Sequence, residues 1–169
     1  MVDSMAIEDN INDVVQKYSD MIYRLAVSNL SSRCDADDVY QEVFMRYIKE
    51  IKKGKVFESD EHIKAWFIRV TINCCRSLST SSWFRRTVPI DETLSDDFDQ
   101  FSDCGIDMHS ALMKIPQKYR SLIHLFYYEQ LSTEEIARLI DEKSATVRTQ
   151  LSRARALLRE ILKGEYFDE

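Results

Sequence analysis

The chain has 169 residues, 44 % of them hydrophobic, which is enough for folded cores, and its three Gly and two Pro argue against a turn-dense β fold and favour helices. No basic N-terminal region precedes an apolar run and no apolar stretch approaches about 18 residues, so neither a signal peptide nor a membrane span is expected, and the expected location is the cytoplasm. The net charge of −6 does not exclude a nucleic-acid partner, because it is unevenly spread: residues 1–79 hold 11 basic and 13 acidic side chains, residues 80–107 two against seven, and residues 108–169 ten against nine.

Residues 8–30 read as a first helix, with Ile11, Val14, Val15, Tyr18, Ile22, Leu25 and Ala26 recurring at helical spacing. Ser31 to Cys34 breaks it. Asp35 to Lys52 is a second helix, with Asp35 as its N-cap and Asp37 and Asp38 at the positive end of the helix dipole. Its buried stripe is Tyr40, Val43, Phe44, Tyr47, Ile48 and Ile51. Asp38, Gln41, Glu42, Met45 and Arg46 occupy the other side, which is either a solvated face or a docking face for a partner. A third helix spans about residues 61–79, with Ile63, Trp66, Phe67, Val70 and Cys74 as its core stripe. Lys64, Arg69, Asn73 and Arg76 lie off that stripe. The helix runs into Trp83-Phe84-Arg85-Arg86, where two readings stay open: aromatic stacking and phosphate pairing with a single strand, or packing back on the domain.

Residues 87–107 are acidic and lack helical periodicity, as expected of a linker between two helical domains, with Pro89 and Gly105 near its ends. Met108 to Ile115 is a short helix, and Pro116 stands where the next can begin, since its missing N–H costs nothing there. Tyr119, Leu122, Ile123, Phe126 and Tyr127 continue a core face. Ser132 and Glu135 then form a capping-box pair ahead of Ile136, Ala137, Leu139 and Ile140. After Asp141-Glu142-Lys143, Ser144 can cap a last helix whose stripe is Val147, Leu151, Ala154, Leu158 and Ile161. Arg148, Thr149, Ser152, Arg153, Arg155 and Arg159 fall off that stripe. The pattern fits a helix-turn-helix whose second helix enters a DNA major groove, against the plainer reading of a solvated basic helix in a bundle.

Enzyme chemistry finds no support. There is no Gly-rich phosphate loop, nucleophile elbow or zinc-protease motif. Cys34, Cys74, Cys75 and Cys104 form no C-x-x-C pair, and His62, His109 and His124 stand at no metal-ligand spacing from them, so reduced thiols and no metal or cofactor are expected.

Three ordered stretches carry a family resemblance. Asp35 to Arg46, DADDVYQEVFMR, resembles the D-A-E-D-L-V-Q-E-V-F-L-R helix of region 2 in bacterial sigma-70 factors of the extracytoplasmic function (ECF) group. Ile63 to Asn73, IKAWFIRVTIN, resembles that group's F-x-x-W-L-x-x-I-A-x-N. Ile115 to Leu158 resembles region 4, with L-S-x-x-E-I-A in one helix and T-V-[KR]-S-R-L-x-R-A-R in the next. The resemblance implies an all-α chain of two small helical domains: region 2 over residues 1–86, an acidic linker over 87–107, and a region 4 helix-turn-helix over 108–169. It implies a non-enzymatic sigma factor with core RNA polymerase, promoter DNA and an anti-sigma factor as partners. Asp38, Gln41, Glu42 and Met45 would dock on the largest polymerase subunit. Lys64, Arg69, Asn73 and Arg76 would serve the melted −10 strand, with Asn73 lining a pocket for a flipped-out base. Ser144, Thr146, Arg148, Thr149, Ser152 and Arg153 would face the −35 duplex. Three positions depart from the group's pattern. Ser77 stands where Asp is frequent, and Asp141 and Ala145 replace Gly in the turn and at the start of the recognition helix. The rival reading is an operator-binding helix-turn-helix regulator that acts without replacing sigma.

Overall fold

A computed structural model of the chain describes residues 4–80 and 108–167. The described residues form helices joined by short connections: α1 (Ser4–Asn29), α2 (Arg33–Lys52), α3 (Asp60–Thr80), α4 (Met108–Met113), α5 (Gln117–Ile123), α6 (Thr133–Ile140) and α7 (Ser144–Phe167). A π-helical segment, His124–Tyr128, continues α5. The all-α expectation holds, and no described helix is long and apolar enough to cross a membrane. The expected acidic linker over 87–107 and Trp83 to Arg86 lie outside the described residues.

Helices α1, α2 and α3 pack together around an aromatic centre. Phe67 is fully buried, with ring centroids 5.4 Å from Tyr18, 5.5 Å from Phe44 and 5.0 Å from Tyr47. Tilted contacts of this kind add to the burial term for large rings. Ile22, Val39 and Val43 complete the core. The second unit packs α5, α6 and α7 around Leu122, Leu125, Ile136, Val147 and Leu151, while Ile115, Ile123 and Ala154 form a smaller cluster beside it.

Several local expectations shift. Helix α1 starts at Ser4 instead of residue 8, and α4 stops at Met113, two residues short of the expected Ile115. The N-cap of α2 is Ser32, whose hydroxyl accepts from the Asp35 amide at 3.4 Å; Asp35 sits inside the first turn. There burial, with the nearby Asp38 charge adding, raises its carboxyl above the ordinary value. Tyr127, expected on a core face, is 54 % exposed. The π-helical segment explains it: its wider turn departs from the α-helical spacing, and within it His124 and Leu125 are buried while Tyr127 is exposed.

The larger difference concerns α3. Beyond the expected stripe, Ile68, Thr71, Ile72 and Cys75 are also buried. The helix is enclosed on two sides because Ile68 and Ile72, together with Leu25 of α1, belong to the same cluster as the α5–α7 core. A buried polar group stitches the seam. Asn29, 1 % exposed, accepts on its side-chain oxygen from the Ser121 hydroxyl, and its backbone carbonyl accepts from Arg120 Nη2 at 2.9 Å and Gln117 Nε2 at 3.3 Å. The free carbonyl end of α1 is thus satisfied by side chains of the second unit.

Candidate nucleic-acid and docking interfaces

Asp38, Gln41, Glu42 and Met45 follow one another at steps of three, one and three and all are exposed, while Ala36, Val39, Val43, Phe44 and Tyr47 anchor the opposite side of α2. The four therefore share one outward face. Met45 is 53 % exposed, one turn beyond the Glu42 carboxylate. Glu42 accepts from Arg46 Nε at 2.6 Å, which raises the Arg46 guanidinium above its ordinary value. With both side chains about half exposed, such a pair adds little stability and leaves the face available.

On α3, Arg69, Asn73 and Arg76 are exposed and share a face. That face borders the second unit. With Ile72 they form one wall of a cleft of about 400 Å3 whose other wall is Arg138, Leu139, Ile140 and Asp141, at the end of α6. Arg69 Nε donates to the Leu139 carbonyl at 3.2 Å. Lys64 is apart from this cleft. Its ammonium lies 3.3 Å from a Glu129 carboxylate oxygen, with His124 Nε2 3.6 Å from the other. Burial pushes the Glu129 carboxyl up, but His124 and Lys64 together outweigh it and hold the group below its ordinary value. Three of the four side chains expected to serve one strand thus stand together; the fourth is engaged in an ion pair across the seam.

In the second unit the capping box is complete: the Glu135 amide donates to the Ser132 hydroxyl at 3.2 Å, and the Ser132 amide donates to the Glu135 carboxylate at 2.7 Å. That bond lowers the Glu135 carboxyl. Asp141 ends α6 in the left-handed region, φ 57° and ψ 49°, and the Glu142 amide closes the turn on the Ala137 carbonyl at 2.9 Å. Aspartate tolerates this conformation better than most side chains, so a turn that commonly carries glycine forms without it. Val147, Leu151 and Ala154 bury one side of α7. Thr146, Arg148, Thr149, Ser152 and Arg153 are exposed, and Ser144 is half-buried as the first residue of the helix. Arg148 makes a 3.4 Å contact with Glu134, exposed on both sides and so easily exchanged. The Thr149 hydroxyl donates to the Ala145 carbonyl at 3.0 Å. The arrangement is a short helix crossing ahead of a longer one whose first turns present guanidinium and hydroxyl groups, the geometry that fits a major groove.

The described residues hold no group of His, Cys, Asp and Glu side chains arranged for a metal. Cys74 and Cys75 are buried free thiols, and burial pushes the Cys75 thiol up to about 12, which removes its nucleophilic form at neutral pH. Sequence reasoning missed the seam residues Asn29, Gln117, Arg120, Ser121 and Glu129. The available signal was Ile68 and Ile72, two apolar residues four apart and off the named stripe of α3.

Two family models match the chain: Sigma-70 region 2 over residues 14–85, and Sigma-70, region 4 over residues 106–158. Among curated relatives, RNA polymerase sigma factor SigV of Bacillus subtilis is 31 % identical over 81 % of this chain and 81 % of its own. ECF RNA polymerase sigma factor SigW of the same organism is 27 % identical over 92 % of this chain and 90 % of its own. Among solved structures, the sigma factor RpoE in complex with the anti-sigma factor NepR from Bartonella quintana superposes with a TM-score of 0.66 at 20 % identity, covering 95 % of this chain and 99 % of that one, a likeness of fold.

Proposed function

The chain belongs to the ECF group of the bacterial sigma-70 family of RNA polymerase sigma factors, and from that membership we propose which of its surfaces perform which step. It is an initiation factor that directs promoter-specific transcription by binding core RNA polymerase and promoter DNA. Region 2 occupies residues 1–86, the linker 87–107 and region 4 108–169. The acidic face of α2, Asp38, Gln41, Glu42 and Met45, docks on core polymerase. Arg69, Asn73 and Arg76 of α3 hold the separated −10 strand, with Lys64 joining them once its pair with Glu129 opens. Asn73 reads a flipped-out base through an amide that both donates and accepts. Ser144, Thr146, Arg148, Thr149, Ser152 and Arg153 face the −35 duplex.

The factor carries no covalent chemistry. Opening is driven by tighter binding of the separated strand than of the duplex, a shift between two populations. Polymerase holds both DNA-binding units on one promoter, so weak individual contacts act at high effective concentration. That suits a chain whose net charge of −6 disfavours non-specific DNA binding by the free protein. The factor acts in the cytoplasm, where promoter and polymerase are. An anti-sigma factor is a further partner: the similar fold of RpoE has been solved with the anti-sigma factor NepR bound, and both the α2 face and the α7 face are exposed here for a competitor to cover.

The observation that carries this reading is the match of two family models in order along one chain, with outward-facing side chains at the positions the motifs single out. An operator-binding regulator would need only the second of them. Run-off transcription with purified core polymerase tests it. Promoter-specific transcripts should depend on the added chain, and operator binding without any polymerase-dependent transcript would reject the assignment.

A further inference from the structure

The cleft between α3 and the end of α6 has a volume of about 400 Å3, toward the small end of the roughly 300–1,000 Å3 that small-molecule sites occupy. Three guanidinium groups line it, Arg69 and Arg76 from one unit and Arg138 from the other, against a single carboxylate, Asp141. Like charges therefore face one another across the seam. Among the described residues, no carboxylate forms an ion pair with any of the three. Arg69 and Arg138 each commit only Nε, to the Leu139 carbonyl and, at 3.4 Å, to the Glu134 carbonyl. The Asn73 amide and the apolar side chains of Ile72 and Ile140 complete the lining.

We propose that this cleft binds a nucleoside phosphate, and that the bound ligand bridges the two units and holds the chain closed. Guanidinium forks match phosphate oxygens two at a time. The Asn73 amide offers a donor and an acceptor to a base edge, and the half-buried Ile140 offers apolar contact to its face. The charge pattern alone admits either a free nucleotide or the backbone of a strand. The volume favours the free nucleotide, because a cleft of about 400 Å3 holds about one nucleotide and not a run of them. With walls on both units, the site exists only while they are packed together, so ligand binding stabilises that packing by linkage. The proposal rests on the cavity and not on the strand reading of Asn73. Where both hold, ligand and strand exclude each other.

Isothermal titration calorimetry on the full chain tests it, with adenosine and guanosine 5′-monophosphates, inorganic phosphate and a short oligodeoxynucleotide as probes. Nucleotide binding should be saturable and should raise Tm. It should weaken at least tenfold in Arg138→Gln, an exposed change outside both proposed DNA faces. It should tighten severalfold in Asp141→Asn, which removes the opposing carboxylate while keeping a side chain that accepts the left-handed turn. Four results would overturn the proposal: no saturable nucleotide binding, equal affinity across the variants, inorganic phosphate binding as tightly as either nucleotide, or binding of the oligonucleotide alone. Promoter opening by Arg138→Gln stays unchanged if the strand runs along α3 alone, so the two readings fail independently.

Discussion

Arg148 and Arg153 are both exposed on α7, five residues apart, with the buried Val147 and Leu151 fixing the rotation of the helix that carries them. Replacing either by Ala removes the proposed DNA contact and leaves the core untouched. Each change should weaken −35-dependent initiation by about 1–3 kcal/mol, the usual cost of a lost base contact. Transcription from promoters with and without an intact −35 element reads this directly, and unchanged selectivity in both variants would remove α7 as the recognition helix. Asn73 sits at the other proposed site and is assigned to a different step. Asn73→Ala should leave polymerase binding intact and reduce strand separation, seen as lost permanganate reactivity of thymines in the −10 region. Lost co-purification with polymerase would place Asn73 in docking and not in opening. Asp141 shows how a departure from a family pattern is absorbed. Its φ of 57° is the conformation that favours glycine, and the turn keeps its hydrogen bond to the Ala137 carbonyl all the same.

At the level of the helix, α2 has one packed face and one exposed face. Val43, Phe44 and Tyr47 belong to the aromatic core, while Asp38 and Glu42 are exposed one turn apart. Reversing both charges, Asp38→Lys with Glu42→Lys, alters the surface and not the packing. It should abolish association with core polymerase while the circular dichroism spectrum stays native, and normal co-purification would reject this face. Helices α2, α6 and α7 were legible in the sequence because their signals are local: a capping box four residues long ahead of α6, and apolar stripes that each bury one side of a helix. Helix α3 was legible only in part. Its periodicity is that of a helix buried on one side, but Ile68 and Ile72 turn to a second core contributed by Leu25 and by residues from Leu122 onward, all distant in sequence. No window of sequence contains that pairing. The turn of Tyr127 away from the core was equally hidden, since a π-helical segment changes the register without changing the composition.

The whole molecule raises a question of reach. A compact chain of this length has a radius of gyration of about 15 Å, a body roughly 40 Å across. Promoter elements at −35 and −10 lie more than two helical turns apart, so beyond about 68 Å along the duplex. With α3 and α6 in contact, the chain cannot touch both at once, and Arg69, Asn73 and Arg76 line the seam instead of meeting a strand. On the proposed roles, the two units must part before both elements are held, while the α2 face is already exposed. What resists parting is identifiable. Leu25, Ile68 and Ile72 are 0–3 % exposed, and burying side chains of this size contributes about 1.5–3 kcal/mol each. Opening also leaves Arg120 and Ser121 without Asn29. Ile68 belongs to the shared cluster and not to the α1–α3 core, so Ile68→Asp loads the seam with an unpaired buried charge, which is costly there and cheap once the units separate. Small-angle scattering of this variant should give a radius of gyration clearly above the native value, with helix content and polymerase binding retained. A folded variant of unchanged size would mean that the seam is held by the Asn29 hydrogen bonds and the Glu129 pairs and not by its apolar side chains. A larger radius would identify apolar burial as the main barrier that polymerase must offset.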